Sequence, residues 1–392
     1  MKNQRQTGRR NFLKQVAATS ALALSPAASM GAGLKTQDTG SKNTEWRNRQ
    51  HGMEYRQLGR TGFMVSAMVI GGGGLNPDRY QFVARAIERG VNYIDTASRY
   101  GRGRSEEGVG KVIEMAGRDK LFVTTKLSEF TPFLDDLCME IMKSLPGEKQ
   151  EAIRRKAKNR IAELGVMRPG YYFRFFPPQD EEIEQGHQTH VIRKEYARQK
   201  KWKSQIQTEM ERILQRSLAR MGTDYVDILM CPHGARLPEE LEDETIPEIL
   251  ETFRRSGRIR HTGLSIHSDV PRNLVKAADL GHYDVAMVAY NIVNQSGMDM
   301  PIVHATTKGM GIIAMKAASG VHPPANWNWE VPAWRIEKLN KAIPEPMKTP
   351  VKAYLWVHQN PRVAGMISAF ESEEMIEENL AIIGRRVKLE MV

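Results

Sequence analysis

From residue 53 onward the chain repeats one pattern: a short apolar run, a polar turn, then a longer stretch whose apolar residues recur at helical spacing. The apolar runs fall at 67–70, 93–96, 122–126, 226–230, 262–266, 285–290, 311–315 and 363–368. Between them, Ile206, Met210, Ile213, Leu214 and Met221 form one amphipathic stripe, and Ile246, Ile249, Leu250 and Phe253 another. Strands that alternate with helices read as parallel strands with helical crossovers. Eight such units predict a (β/α)8 TIM barrel, which places any chemistry at the C-terminal ends of the strands. Within the first unit, Asn76-Pro77 predicts a helix start and Gly90 its end.

The strand ends are where unusual polar residues gather. Asp95 closes the second run, and Tyr100 follows in a turn flanked by Gly101 and Gly103. Ser105 then reads as a helix N-cap, with Glu106 and Glu107 in the first turn. The third run ends on Lys126, and the fourth is followed by Pro232-His233. A carboxylate beside an ammonium beside a phenol is a device for proton transfer. The acid holds the lysine charged, and the lysine is expected to draw the tyrosine pKa down from about 10.

The stretches YRQLGRTGFMVS (55–66), GVNYIDTASRYGRGRSEE (90–107), TTK (124–126) and MGTDYVDILM (221–230) together resemble the aldo-keto reductase family, over nearly the whole chain from residue 53. The resemblance implies a barrel preceded by an N-terminal β-hairpin, with Asp95, Tyr100, Lys126 and His233 as the catalytic tetrad. It also implies a nicotinamide cofactor bound across the barrel mouth, with Gly72, Ser265, Met287, Met315, Ser368, Glu378 and Asn379 as its contacts. Two of these positions and one neighbour depart from the common family pattern: Met287 replaces a glutamine, Met315 a ring-stacking tyrosine, and Ile266, beside Ser265, an asparagine. A thioether still covers a ring face. His233 stands six residues after Asp227, where five is usual in the family, so either a bulge restores its position or the imidazole sits differently. Glu371, Glu373 and Glu374 occupy the region where NADP-preferring relatives carry Lys or Arg, and they favour NAD(H) over NADP(H). The same acids also suit the N-terminus of a helix capped by Ser372.

The segment 128–202 interrupts the strand–helix rhythm and is expected to be a mainly helical insertion after the third strand. Ile153, Ala157, Ile161 and Leu164 recur at helical spacing, and five aromatics gather at 171–176. Two roles stay open for it: a lid or substrate wall, or packing onto the barrel.

The N-terminus reads separately. Arg9-Arg10, an apolar run at 16–24 and the small-residue stretch around Pro26-Ala27-Ala28 form a twin-arginine export signal over 1–30, and 31–52 reads as a linker. The apolar run is too short for a transmembrane anchor. Export predicts a periplasmic protein that meets the twin-arginine machinery. Removing the five basic groups of 1–30 takes the formal charge from +11 to about +6, which gives no reason to expect nucleic acid. His187 and His190 read as a surface pair without a third ligand, and Cys138 and Cys231 as reduced, so no metal or iron–sulfur centre is expected.

The function expected is an exported oxidoreductase that moves a hydride between a nicotinamide and a small carbonyl or alcohol, possibly a sugar. The alternatives on the same barrel are a non-catalytic periplasmic ligand-binding protein and a cofactor-free lyase or isomerase.

Overall fold

The computed structural model describes residues 44–197, 201–324 and 329–390. The export signal over 1–30 and positions 31–43 of the linker lie outside them.

A small sheet comes first: β1 (Glu45–Trp46), β2 (Tyr55–Gln57) and β3 (Phe63–Ser66), in the order β1-β3-β2. β2 and β3 form the antiparallel hairpin, and β1 runs parallel to β3. The barrel strands are β4 (Met68–Gly71), β5 (Tyr93–Asp95), β6 (Phe122–Lys126), β7 (Val226–Ala235), β8 (Ile259–Ile266), β9 (Val285–Ala289), β10 (Gly311–Met315) and β11 (Gly365–Ser368). They close as β10-β11-β4-β5-β6-β7-β8-β9, every neighbouring pair parallel. Each of the eight expected runs is a strand.

The helices are α1 (Ala84–Glu88), α2 (Arg104–Ala116), α3 (Phe130–Ser144), α4 (Gly147–Leu164), α5 (Gln179–Tyr196), α6 (Lys203–Met221), α7 (Thr245–Arg255), α8 (Val270–Leu280), α9 (Gln295–Thr307), α10 (Ala333–Ala342), α11 (Thr349–His358) and α12 (Glu373–Leu380). Three of them, α3 to α5, lie between the third barrel strand and α6.

Two apolar layers hold the barrel. Inside it, Tyr93, Phe122, Ile228, Met230, Val285 and Ile313 interdigitate, and Leu58 and Phe63 of the hairpin join them. Phe63 stacks on Phe122 at 4.4 Å between ring centroids. The hairpin turn presses so closely on β10 that a Cβ at Gly59, whose φ is +52°, would lie 2.2 Å from the Gly311 nitrogen, so only glycine serves there. Outside, the strands pack on the expected helix stripes, with Met210, Leu214, Ile249 and Phe253 all buried.

Several local expectations are revised. Most of the described linker, 44–52, is exposed, but one of its residues is anchored on the barrel. Arg47 is 9% exposed and reaches Asp227 at the start of β7, where Arg118 and Arg260 also pair with the same fully buried carboxylate. Asn76 does not start a helix, because its side chain accepts from Asp78 N at 2.9 Å and builds a turn, and the helix begins at Ala84. Ser105 is not a cap. Its hydroxyl donates to the Gly72 carbonyl at 2.6 Å, inside the protein, while Gly103 takes the N-cap position of α2.

Helices α3 to α5 share a core of Cys138, Met142, Ile153, Val191 and Ile192, while Phe130, Leu134 and Phe175 join the barrel's outer core. His187 is fully buried there rather than on the surface, because helix α5 turns it inward. Cys138 and Cys231 are buried free thiols.

Candidate active site

At the C-terminal mouth the parallel register sets Asp95 of β5 beside β6, whose last residue is Lys126. The Lys126 ammonium is fully buried and donates to both oxygens of Asp95 at 2.7 Å and to the Thr96 carbonyl at 2.7 Å. The Tyr100 hydroxyl lies 3.5 Å from the same nitrogen. Burial works to lower the lysine pKa, yet Asp95 and Tyr100 hold the ammonium above its ordinary value. For Asp95, burial pushes the carboxyl up, and the ammonium across both its oxygens opposes that shift. Burial also raises the Tyr100 phenol and outweighs the downward pull of Lys126. This corrects the expected lowering of the tyrosine pKa: a phenol taken out of water is harder to ionise, even beside an ammonium.

The turn that presents Tyr100 is held from below. Gly101, Arg102 and Gly103 are successive left-handed residues, with φ of 56°, 59° and 94°, an unfavourable conformation for the arginine. A Cβ at Gly103 would lie 2.3 Å from the Arg220 guanidinium. Arg220 donates to the Ser98 carbonyl at 3.2 Å and to Glu106 at 3.0 Å, and the buried Glu106 accepts from Thr125 at 2.6 Å. Glu106 and Arg220 thus tie the tyrosine turn to β6, next to Lys126.

His233 reaches the site through an irregular strand. β7 extends past residue 230, and its pairing with β8 shifts register between Met230 and His233 and again between His233 and Ala235. The strand is therefore irregular on both sides of His233. It sets the imidazole 6.1 Å from the Tyr100 ring centroid, with Nδ1 2.7 Å from the Ser128 hydroxyl. Burial, then Lys126 and His267, hold His233 well below the usual histidine range, so the ring is neutral. His267 stands 6.0 Å beyond it.

A pocket of about 340 Å³ opens over these groups. One wall comes from α3, α5 and the segment just before α5, through Pro132, Asp135, Phe176 and Glu182. The other aromatics of 171–176 face elsewhere: Tyr171 donates to Asp269 and Tyr172 to Asp180, and Phe175 is buried against the barrel. Wall and packing roles therefore divide among neighbouring residues.

The residues expected at the cofactor gather in two places. Ser265 pairs in register with His233 on one side and Met287 on the other, and its hydroxyl contacts the Met315 thioether at 4.0 Å. A thioether is a weak acceptor, so this buried hydroxyl is suited to a polar ligand group such as a carboxamide, with two methionines beside it to cover a ring. Ser368 and Asn379 meet at β11 and α12, where the amide donates to the hydroxyl at 3.0 Å, and Glu378 pairs with Lys348. Gly72 is buried, and a Cβ there would lie 2.5 Å from the Asp95 carbonyl, so it packs the turn beneath the site. Glu371, Glu373 and Glu374 are exposed, and Ser372 caps α12 by accepting from Met375 N at 3.2 Å. These donors fit a nicotinamide nucleotide. Among the described residues no three His, Cys, Asp or Glu are grouped to hold a metal ion, and no helix is long and apolar enough to cross a membrane.

A closed parallel barrel thus carries a buried lysine–carboxylate pair beneath a tyrosine at the C-terminal mouth, the end where barrel enzymes hold their chemistry. The Aldo/keto reductase family model matches residues 67–391, and the chain belongs to that family. Members of the family use nicotinamide cofactors. The chain is 25% identical over 232 residues to the uncharacterized oxidoreductase YqkF of Bacillus subtilis, a match covering 58% of this chain and only 54% of that one. It is 22% identical over 356 residues to L-galactose dehydrogenase of Arabidopsis thaliana, covering 84% and 88%. Among solved structures, the holo form of aldo-keto reductase AKR11C1 from Bacillus halodurans aligns with a TM-score of 0.56 at 18% identity, over 85% of this chain and 92% of that one. The thermostable aldo-keto reductase Tm1743, solved with the inhibitor epalrestat, aligns with a TM-score of 0.53 at 19% identity, over 85% and 95%. At these identities the structures bear on the fold alone.

Proposed function

We propose that this protein is an exported, NAD(H)-preferring oxidoreductase that interconverts a small polar carbonyl compound and its alcohol. The observation that carries this reading is the fully buried Lys126 ammonium, bidentate on Asp95 and 3.5 Å from the Tyr100 hydroxyl. Such a charge is costly to bury and is kept where chemistry uses it. When bound, the nicotinamide supplies or accepts the hydride.

The chain's own residues handle the proton and the oxygen. Tyr100, protonated at neutral pH, donates to the carbonyl oxygen during reduction and takes the proton back during oxidation. Lys126 stabilises the phenolate left behind, and Asp95 keeps Lys126 charged. Neutral His233 orients the substrate oxygen through its second ring nitrogen, the first being held by Ser128. Ser265, Met287 and Met315 would hold the nicotinamide end, and Ser368, Glu378 and Asn379 the adenosine end. The exposed Glu371, Glu373 and Glu374 would repel a 2′-phosphate, which supports NAD(H). Residues 128–202 act as an insertion that completes the substrate wall. The arginine pair of the N-terminus addresses the folded protein to the twin-arginine machinery and the periplasm, so the nucleotide is loaded before export.

The test is a fluorescence titration of the mature chain with NADH and NADPH, with mass spectrometry of any nucleotide that copurifies. NADH binding tighter than NADPH is expected. Failure to bind either would move the assignment to a ligand-binding protein or a cofactor-free lyase.

A further inference from the structure

Several polar groups that line the pocket over Tyr100 are already engaged within the protein. Ser128 holds Nδ1 of His233, Thr131 donates to the His233 carbonyl at 3.5 Å, and Arg236 donates to Asp135 at 2.7 Å. His267 is different. It follows β8 directly and lines the same pocket, partly exposed, yet its imidazole makes no hydrogen bond among the described residues. Nδ1 is buried without a partner. The other edge of the ring lies toward the pocket, since a Cβ at Gly234 of the lining would stand 3.9 Å from Cδ2. Burial above all lowers the His267 pKa to about 3, so the ring is neutral and carries one N–H. A buried N–H left unpaired is rarer than an unpaired acceptor. The proton therefore belongs on Nε2, and the pocket edge of the ring is a donor.

Helix α5 and the segment before it fix this ring in place. The Gln179 side chain donates to the His267 carbonyl at 3.1 Å, and the Phe176 ring meets the imidazole edge-on at 5.4 Å between centroids. Tyr171 donates to Asp269, two residues further on. A donor held this firmly and left without an acceptor is preorganised for a ligand.

The reacting oxygen is not that ligand. A carbonyl oxygen offers two lone pairs, and Tyr100 and His233 take both. The ring centroids of His233 and His267 are 6.0 Å apart, which sets a second acceptor close beside the first, on the neighbouring carbon. We infer that His267 is a substrate-binding residue whose Nε2–H holds a hydroxyl on the carbon next to the reacting carbonyl, so that the enzyme selects α-hydroxy carbonyl compounds and, in oxidation, vicinal diols. This rests on reading the pocket as the oxidoreductase site. One hydrogen bond to a preorganised donor gives about tenfold discrimination.

The test compares hydroxyacetone with butanone, which has a methyl group in place of the hydroxyl, and with 4-hydroxybutan-2-one, whose hydroxyl is one carbon further away. With NADH and the mature chain, kcat/KM for hydroxyacetone is expected to exceed that of either other ketone by about tenfold. His267→Leu should bring the three within about threefold of one another, whereas His267→Gln, which keeps an N–H donor at that reach, should retain the preference. A parent that treats hydroxyacetone and butanone alike or favours 4-hydroxybutan-2-one overturns the inference, and so does a preference unmoved in His267→Leu. Binding is read separately from turnover, through the 15N shifts of the His267 ring, assigned by difference from His267→Gln. They should move with hydroxyacetone and not with butanone. Ring nitrogens that respond to neither ketone, or equally to both, overturn the inference. A selective response without turnover of any ketone would uphold the contact and sink the oxidoreductase reading instead.

Discussion

Lys126 is the residue around which the site is built. Removing an ammonium from water costs several kcal/mol even after relaxation, and the Asp95 carboxylate, with the Thr96 carbonyl, each at 2.7 Å, makes that tolerable here. The pair was legible in the sequence because each member stands at a strand end, where an isolated charge is out of place. Tyr100 stood out instead by its glycine-flanked turn just after one of those strand ends. Its pKa was not legible, since proximity to a cation suggests a lowered value and burial, which raises it, is a property of the fold. Ser128, Glu106 and Arg220 escaped notice because nothing in their residue type marks them. Glu106 passed for a helix-terminal acid, and its partner Arg220 lies 114 residues away. Ser128 holds Nδ1 of a neutral His233, so Ser128→Ala is expected to free the ring to change tautomer. The 15N shifts of His233 should then report a mixture of tautomers, and kcat/KM should fall about tenfold, with Ser128→Thr restoring both. An unchanged tautomer and rate would remove Ser128 from the machinery.

At the scale of elements, the strand positions followed from apolar runs bounded by turn residues, but the course of β7 did not. Its extension to Ala235 and its register shifts depend on pairing with β8, which a single run cannot report. Helices α3 to α5 were visible as an interruption of the barrel rhythm. Which of their faces is buried was not, and His187 shows why: a histidine at helical spacing from another polar residue gives no sign that it points inward. Both its ring nitrogens are buried without a hydrogen-bond partner, and burial lowers its pKa to about 4. The unfolded chain takes up the proton near pH 6.5 and the native chain only near 4, so stability is lost as pH falls through that window. From pH 7 to pH 5 this amounts to about 2 kcal/mol. His187→Leu should therefore raise Tm over the parent by roughly 2–3 °C more at pH 5 than at pH 7. Equal Tm differences at the two pH values would mean that His187 is protonated in the native state.

For the whole molecule, eight strand–helix units left one closed architecture, and the barrel follows. The seating of the N-terminal arm did not follow, since Arg47 finds Asp227 only once the barrel brings residues 180 positions apart together. The residues expected at the nicotinamide end were named from a resemblance, and what the fold adds is their setting: the buried Ser265 hydroxyl lies beside Met287 and Met315. The account as a whole stands on Tyr100 as the proton donor of a nicotinamide-dependent reaction. The most direct measurement compares the parent and Tyr100→Phe, both without the signal, in NADH titration and in single-turnover reduction of an aldehyde that the parent accepts. We expect nucleotide affinity within about threefold of the parent and a rate constant lower by about a thousandfold or more. A variant that reduces the aldehyde at the parent's rate would contradict the assignment of the site.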